Sequence, residues 1–197
     1  MTSHPKRLIV GMTGASGAIY GVRLLRLLQN TGVETHLVMS RSARITLTQE
    51  MDIDAAEVSA LANVVHSVDN VGASISSGSF KTMGMVIAPC SMRSLAEIAT
   101  GVTSSLVTRA ADVVLKERRR LVLMVREAPL HLGHLRAMTA ATEIGAIVYP
   151  PVPAFYARPA SLEQMVDHTL GRVLDLFEIE NTAVSRWGGL NSIKNGE

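Results

Sequence analysis

Side chains able to do chemistry gather at four places along the chain of 197 residues. Gly11-Met12-Thr13-Gly14-Ala15-Ser16-Gly17 places three glycines around two hydroxyls. Glycine lets backbone approach a ligand, and the amides that open a helix bind anions. Ser16 would add a hydroxyl, as a donor or as a helix cap. A tight turn with a capping serine is the competing reading. The position between a strand and a helix favours phosphate. Pro89-Cys90-Ser91-Met92-Arg93-Ser94 is a second strand-to-helix junction with amides to offer. A cationic set follows: Arg109, Lys116 and Arg126, the last beside Glu127. Charges directly after a strand are more often functional than charges on a helix face. Pro150-Pro151-Val152-Pro153-Ala154-Phe155-Tyr156 is stiff enough to hold two aromatic rings in place. In a chain only 4% aromatic, those rings suggest a ligand wall; a plug over the core and a subunit contact are the alternatives.

The phosphate ligand can be narrowed. A dinucleotide site wants G-x-G-x-x-G and an acidic residue ending the second strand. Here the glycine spacing differs and the second strand runs into Ser40-Arg41. A P-loop would need Gly-Lys-Ser/Thr after the glycines, which is missing. A mononucleotide such as FMN fits better than NAD or ATP. Ser40 reads equally as a ligand contact and as an N-cap. Cys90, the single cysteine, has no Cys/His arrangement and reads as a small packed residue. His131 and His134 lack zinc-binding spacing, and no aspartate-rich run is present to hold magnesium against a diphosphate. Phosphate chemistry would therefore rest on Arg, Lys and backbone amides.

These residues need a frame. Short aliphatic runs at 8–12, 35–39, 85–88, 121–125 and 146–149 alternate with helical stretches at 41–50, 55–62, 106–117 and 132–144, one after residue 17 and one from about Ser91. Residues 71–81, rich in Gly and Ser, read as loop. The last helix opens on a Ser161/Gln164 capping box. Leu162, Met165, Val166, Leu170, Val173, Leu174 and Phe177 form its apolar stripe. Arg172 lies at the stripe's edge, as a snorkelling surface residue or with its guanidinium facing a pocket. The alternation predicts an α/β fold, a three-layer parallel sheet with helices on both faces. One flavin-binding domain over 1–197 is expected, with core at about 8–177 and tail at 178–197. Ligands in such folds sit beyond the carboxyl ends of the strands, where the four clusters fall.

Composition bounds the rest. Hydrophobic residues make up 47% and charged ones 18%, with mean hydropathy +0.25. Disorder is excluded. The purely apolar runs fall far short of the ~20 residues that cross a bilayer, so no membrane partner is expected. Few charges remain to coat the surface, so apolar area is expected to be hidden against other subunits or a ligand. A net charge of +2 does not call for nucleic acid. The basic run at Lys116, Arg118, Arg119 and Arg120 reads as a solvated helix end. One cysteine and a polar N-terminus point to the cytoplasm.

Several stretches together resemble the flavin prenyltransferases of the UbiX type, also described as partner subunits of aromatic-acid decarboxylases. They are the glycine cluster continuing to Ala18, Ile87-Ala88-Pro89-Cys90-Ser91-Met92, the run from Arg109-Ala110-Ala111-Asp112 to Lys116-Glu117-Arg118, Arg126-Glu127-Ala128-Pro129-Leu130, and the Pro150 to Tyr156 segment. The resemblance runs from about Leu8 to Trp187. It implies a Rossmann-like, flavodoxin-type fold in a homododecamer. It implies a metal-independent transfer of a dimethylallyl group from dimethylallyl monophosphate to N5 and C6 of reduced FMN, making prenylated FMN for a UbiD-type decarboxylase. It puts FMN contacts on Gly14, Ala15, Ser16, Ser40, Ser91, Met92, Arg93, Ser94 and Arg126. It puts the prenyl phosphate on Tyr156 and Arg172, with Arg109, Lys116 and Glu127 nearby. Ser16 and Glu50 would handle protons or the leaving phosphate, with Lys116 and Glu127 also catalytic. Ser104-Ser105 departs from an Asp-Asn-like pair and Arg136-Ala137 from a frequent Asn, changes expected to affect loop packing or subunit contacts. Two alternatives stand beside this: an FMN-binding or delivery protein without catalysis, and a flavin-dependent cysteine-type decarboxylase. The first would need one phosphate site only. The second carries a P-A-S-A-N-T-like stretch where this chain reads Pro89-Cys90-Ser91-Met92.

Overall fold

The computed structural model describes residues 5–184 and 186. In chain order the elements are β1 (Arg7–Met12), α1 (Ala18–Leu28), β2 (Glu34–Met39), α2 (Arg41–Met51), α3 (Ala55–Ser59), β3 (Val64–His66), β4 (Gly84–Cys90), α4 (Met92–Thr100), α5 (Leu106–Lys116), β5 (Arg120–Val125), α6 (Leu132–Glu143), β6 (Ile147–Val148) and α7 (Leu162–Asp175). Single 3-10 turns sit at Ser74–Ser76 and Phe155–Ala157.

All pairings in the sheet are parallel, in the order β3-β2-β1-β4-β5-β6. Without the three-residue β3, the order is that of flavodoxins; with it, that of dinucleotide-binding folds. The central strands read as near-continuous aliphatic runs because both faces are covered. Leu8, Val10 and Met12 point into one core with Leu24 and Leu25 of α1 and Leu170 and Val173 of α7. Ile9, Met85 and Ile87 point into the other with Leu95 of α4 and Leu106 and Ala110 of α5.

Expected and observed elements differ at particular points. β3 has no apolar run of its own. It is held by β2, through a His36 Nδ1 to His66 Nε2 contact of 3.0 Å and through Asn63, which accepts from the Thr35 amide at 2.8 Å. On α7, Val166, Leu170, Val173 and Leu174 are buried, but Leu162 is 61% exposed. Ser161 caps α7 by accepting from the Gln164 amide, while the Gln164 side chain accepts from Ala160 and not from the cap residue's own amide.

One side chain binds the loops at the carboxyl edge together. The Thr13 hydroxyl donates to the Pro89 carbonyl at 2.8 Å and accepts from the Ser91 amide at 2.7 Å, and Thr13 is 2% exposed. Thr13→Val keeps the shape, strips the Ser91 amide of this acceptor and leaves the Pro89 carbonyl with the Thr13 amide at 3.2 Å. The expected loss is about 1–3 kcal/mol of stability, read as a lowered urea midpoint at unchanged slope.

Candidate functional site

The chain leaves β1 for β2 on one side and reaches β4 on the other, so the crevice between the β1 and β4 loops is the topological switch point. A cleft of about 470 Å³ opens there, within the range of small-molecule pockets. Gly14, Ser40, Ser91, Arg93 and Ser94 line it, so five of the expected FMN residues share one cavity. Gly14 is needed for a steric reason: a Cβ there would collide with the Ser42 side chain. Ser91 caps α4 by accepting from the Ser94 amide. Helix geometry leaves the first amides of α4 without partners inside the helix, so Met92 and Arg93 amides remain as donors for an anion. The Met92 side chain instead packs on the core, and Ala15 is buried. Ser40 caps α2, accepting from Ala43 at 3.1 Å, and also lines the cleft, so both of its readings hold.

Ser104 and Ser105 line the same cleft. The Ser104 hydroxyl donates to Glu97 at 2.6 Å, and Glu97 accepts from Arg93 Nε at 2.8 Å. The departure from the family pattern therefore reaches the ligand cavity and one of its cations. Arg41 and Asp69, paired at 3.0 Å, stand at the same cavity.

The amino terminus of α1 is arranged differently from what the glycine cluster suggests. Gly17, at φ 104°, takes a conformation suited to glycine and turns its amide toward α2. Glu50, near the end of α2, accepts from that amide at 2.8 Å and from the Ala18 amide at 2.9 Å. The anion seat at the start of α1 is thus filled by the protein's own carboxylate, and the donors left open to an anion lie at the cleft and the start of α4. Partial burial alone would raise the Glu50 pKa. The Ser16 hydroxyl, the Ala18 and Gly17 amides and the nearby Arg126 outweigh it and hold the carboxyl below its ordinary value. Arg126 Nε donates to the Ser16 carbonyl at 3.1 Å. Ser16, Glu50 and Arg126 therefore form one group. Glu127, next along, folds its carboxylate onto the Ala128 amide.

The remaining candidates are spread out. Tyr156 lies on the turn after β6 and Arg172 on α7. Both act on Tyr149, whose phenol pKa is raised by burial, pulled down by Arg172 and pushed up by Tyr156 and Asp175. Arg172 donates to Asp175 at 3.3 Å, so its guanidinium is held by a carboxylate rather than left free. Phe155 and Tyr156 are 73% and 55% exposed, which rules out the plug over the core. Arg109 is tied to Asp112 at 2.7 Å and to the Ser76 carbonyl. Lys116 ends α5 beside the start of β5 and pairs with Glu117. That is the amino edge of the sheet, a strand's length, about 20 Å, from the cleft.

Cys90 is fully buried and its pKa is pushed up to about 12, as expected of a packed thiol. Among the described residues no group of three or more His, Cys, Asp or Glu is placed to hold a metal ion. Sequence reasoning missed Thr13, Glu97 and Tyr149. Thr13 was visible inside the glycine cluster. Glu97 was readable as the i,i+4 partner of Arg93, though not as the acceptor of Ser104, and Tyr149 gave no signal, because Arg172, Tyr156 and Asp175 come from other elements.

The Flavoprotein family model matches residues 1–186. Flavin prenyltransferase UbiX of Escherichia coli (strain K12) is 61% identical over 187 residues, covering 93% of this chain and 99% of the relative. The crystal structure of AnUbiX (PadA1) in complex with FMN and dimethylallyl pyrophosphate superposes with a TM-score of 0.93 at 48% identity, over 94% of this chain and 99% of that one. A dodecameric FMN-dependent UbiX-like decarboxylase from Escherichia coli O157:H7 matches with a TM-score of 0.90 at 50% identity, over 93% and 100% of the two chains. Identity of this order along nearly the whole length, on the same fold, means that the chain belongs to the UbiX flavin prenyltransferase family.

Proposed function

We propose that this protein transfers a dimethylallyl group from dimethylallyl monophosphate to N5 and C6 of reduced FMN, and that the prenylated flavin passes to a UbiD-type decarboxylase. The observation that carries the reading is the division of the anion-binding groups. One cleft offers hydroxyls and helix amides suited to a single phosphate, while the cations at Arg109, Lys116 and Arg172 stand outside it. A protein that only stored FMN would need the first set alone. The donor set of the cleft fits FMN: Ser40, Ser91 and Ser94 hydroxyls, the α4 amides and Arg93 for the phosphate, and Gly14 for close backbone approach.

When bound, reduced FMN supplies the nucleophile. The chain's own residues do the rest. Phosphate is a poor leaving group, so Lys116, Arg109 and Arg172 offset the charge that grows on it as the C–O bond breaks. The Tyr156 ring offers a π-face to the allylic cation. Ser16, donating to the Glu50 carboxylate, is placed to hold and pass a proton, and the Ala18 and Gly17 amides, with Arg126, help keep that carboxylate charged. Glu127 stands beside this group.

The distance from Lys116 to the cleft supports a site completed by other copies of the chain, in a homododecamer like that of the relative. The exposed Val152, Phe155 and Leu162 supply apolar area for such contacts. The same reading takes 1–197 as one flavin-binding domain. It places the protein in the cytoplasm, in keeping with a single buried cysteine; among the described residues no helix is long and apolar enough to cross a membrane.

Anaerobic incubation with FMN, a reductant and dimethylallyl monophosphate tests the activity. The expected product is a flavin heavier by one prenyl unit in mass spectrometry. Unchanged flavin beside an active control enzyme overturns the proposal.

A further inference from the structure

Tyr156 occupies an unusual place for a residue that must meet a small substrate. It sits on a single 3-10 turn, Phe155–Ala157, with prolines before and after and no buried residue in the turn itself. Its ring meets His168 of α7: the centroids are 5.7 Å apart and the planes are inclined at 83°, an edge-to-face contact. His168 is 5% exposed, so the core holds it firmly. Its Nε2 is buried with no hydrogen-bond partner among the described residues. The imidazole offers Tyr156 a rigid aromatic surface, and this ring contact does not need that nitrogen. His168 also lies four residues before Arg172, on the same helix face.

We infer that His168 is a positioning residue for the prenyl-phosphate end of the site, acting as an aromatic platform that fixes the Tyr156 ring. This rests on the reading of Tyr156 as a prenyl-phosphate contact. His168 touches no reacting atom; it acts through the angle at which Tyr156 presents its ring and phenol. Misplacing a substrate-positioning group by about 1 Å can cost large factors in rate. The platform therefore sets how well the substrate is held, while FMN binding at the β1/β4 cleft is independent of it.

The test compares parent enzyme, H168F, H168Q, H168A and Y156A. For each, kcat and KM for dimethylallyl monophosphate, the Kd for FMN and the pH profile of kcat/KM are measured. H168F restores the ring without its nitrogens and is expected to stay within about twofold of the parent, with the same pH profile. H168Q and H168A lose the ring and are expected to raise KM about tenfold, with FMN affinity unchanged. H168Q serves if H168A does not fold. The inference is overturned if H168Q matches the parent, if H168F is as impaired as H168Q, or if FMN affinity falls in step with KM. An unchanged KM in Y156A would mean that Tyr156 does not meet the substrate, and the inference would fall with that reading. A raised KM in Y156A beside a normal one in H168Q would reject the inference alone.

Discussion

Lys116→Ala and Arg126→Ala, each nearly inactive alone, are expected to restore turnover when co-expressed in one assembly. Each removes a fixed cation from the site, and losing one such group typically costs about 10²–10³ in kcat. Lys116 ends α5 at the amino edge of the sheet, whereas Arg126 follows β5 at the carboxyl edge and bonds the Ser16 carbonyl. One copy cannot bring both to one substrate across a strand's length. If a site takes Arg126 from one copy and Lys116 from another, random mixing leaves about a quarter of the sites with both. Activity near that fraction of the parent supports a site shared between copies. Activity no higher than the sum of the separate variants means that Lys116 serves no neighbouring site. Lys116→Ala alone is expected to keep its FMN, since no FMN donor lies near it; loss of flavin would refute that separation.

The second large effect is expected at Glu50→Gln. Glu50 accepts from the Gly17 and Ala18 amides and from the Ser16 hydroxyl. A glutamine would turn an NH2 toward some of those donors, so Ser16 would lose the acceptor that orients its proton. General acid–base contributions of this kind are worth about 10²–10⁴ in rate, and kcat is expected to fall by that order with FMN affinity retained. The variant also carries a stability signature. The Glu50 pKa is lower in the folded protein than in the unfolded chain. Its contribution is therefore complete above the ordinary glutamate pKa and is lost as pH falls through the lower folded value. Urea titrations from neutral pH downward should show the parent's advantage over Glu50→Gln shrinking toward zero in acid. An advantage constant with pH would mean that the carboxylate charge is not what holds the α1 terminus.

Residues directly after strands were legible from sequence because alternation alone puts them at one edge of a parallel sheet. That logic placed Gly14, Ser91 and Arg93 in the cleft. It could also have separated Lys116, which precedes a strand. It could not find Glu50 on the α1 amides, because 33 positions of chain separate partners that no local pattern links. β3 was hidden for the same reason: Val64–His66 is too short for periodicity and is defined by its neighbour. Arg172 is a different case. Its Asp175 partner lies three residues away, a helical spacing as readable as the apolar stripe beside it.

The carboxylate on the first amides of α1 bears on selectivity. In related folds a dinucleotide lays its pyrophosphate on that helix terminus. Here a bound nicotinamide dinucleotide would have to displace a negative charge already satisfied by the same donors and by Ser16. Glu50 therefore opposes a pyrophosphate at the start of α1 and leaves a mononucleotide the donors of the cleft and of α4.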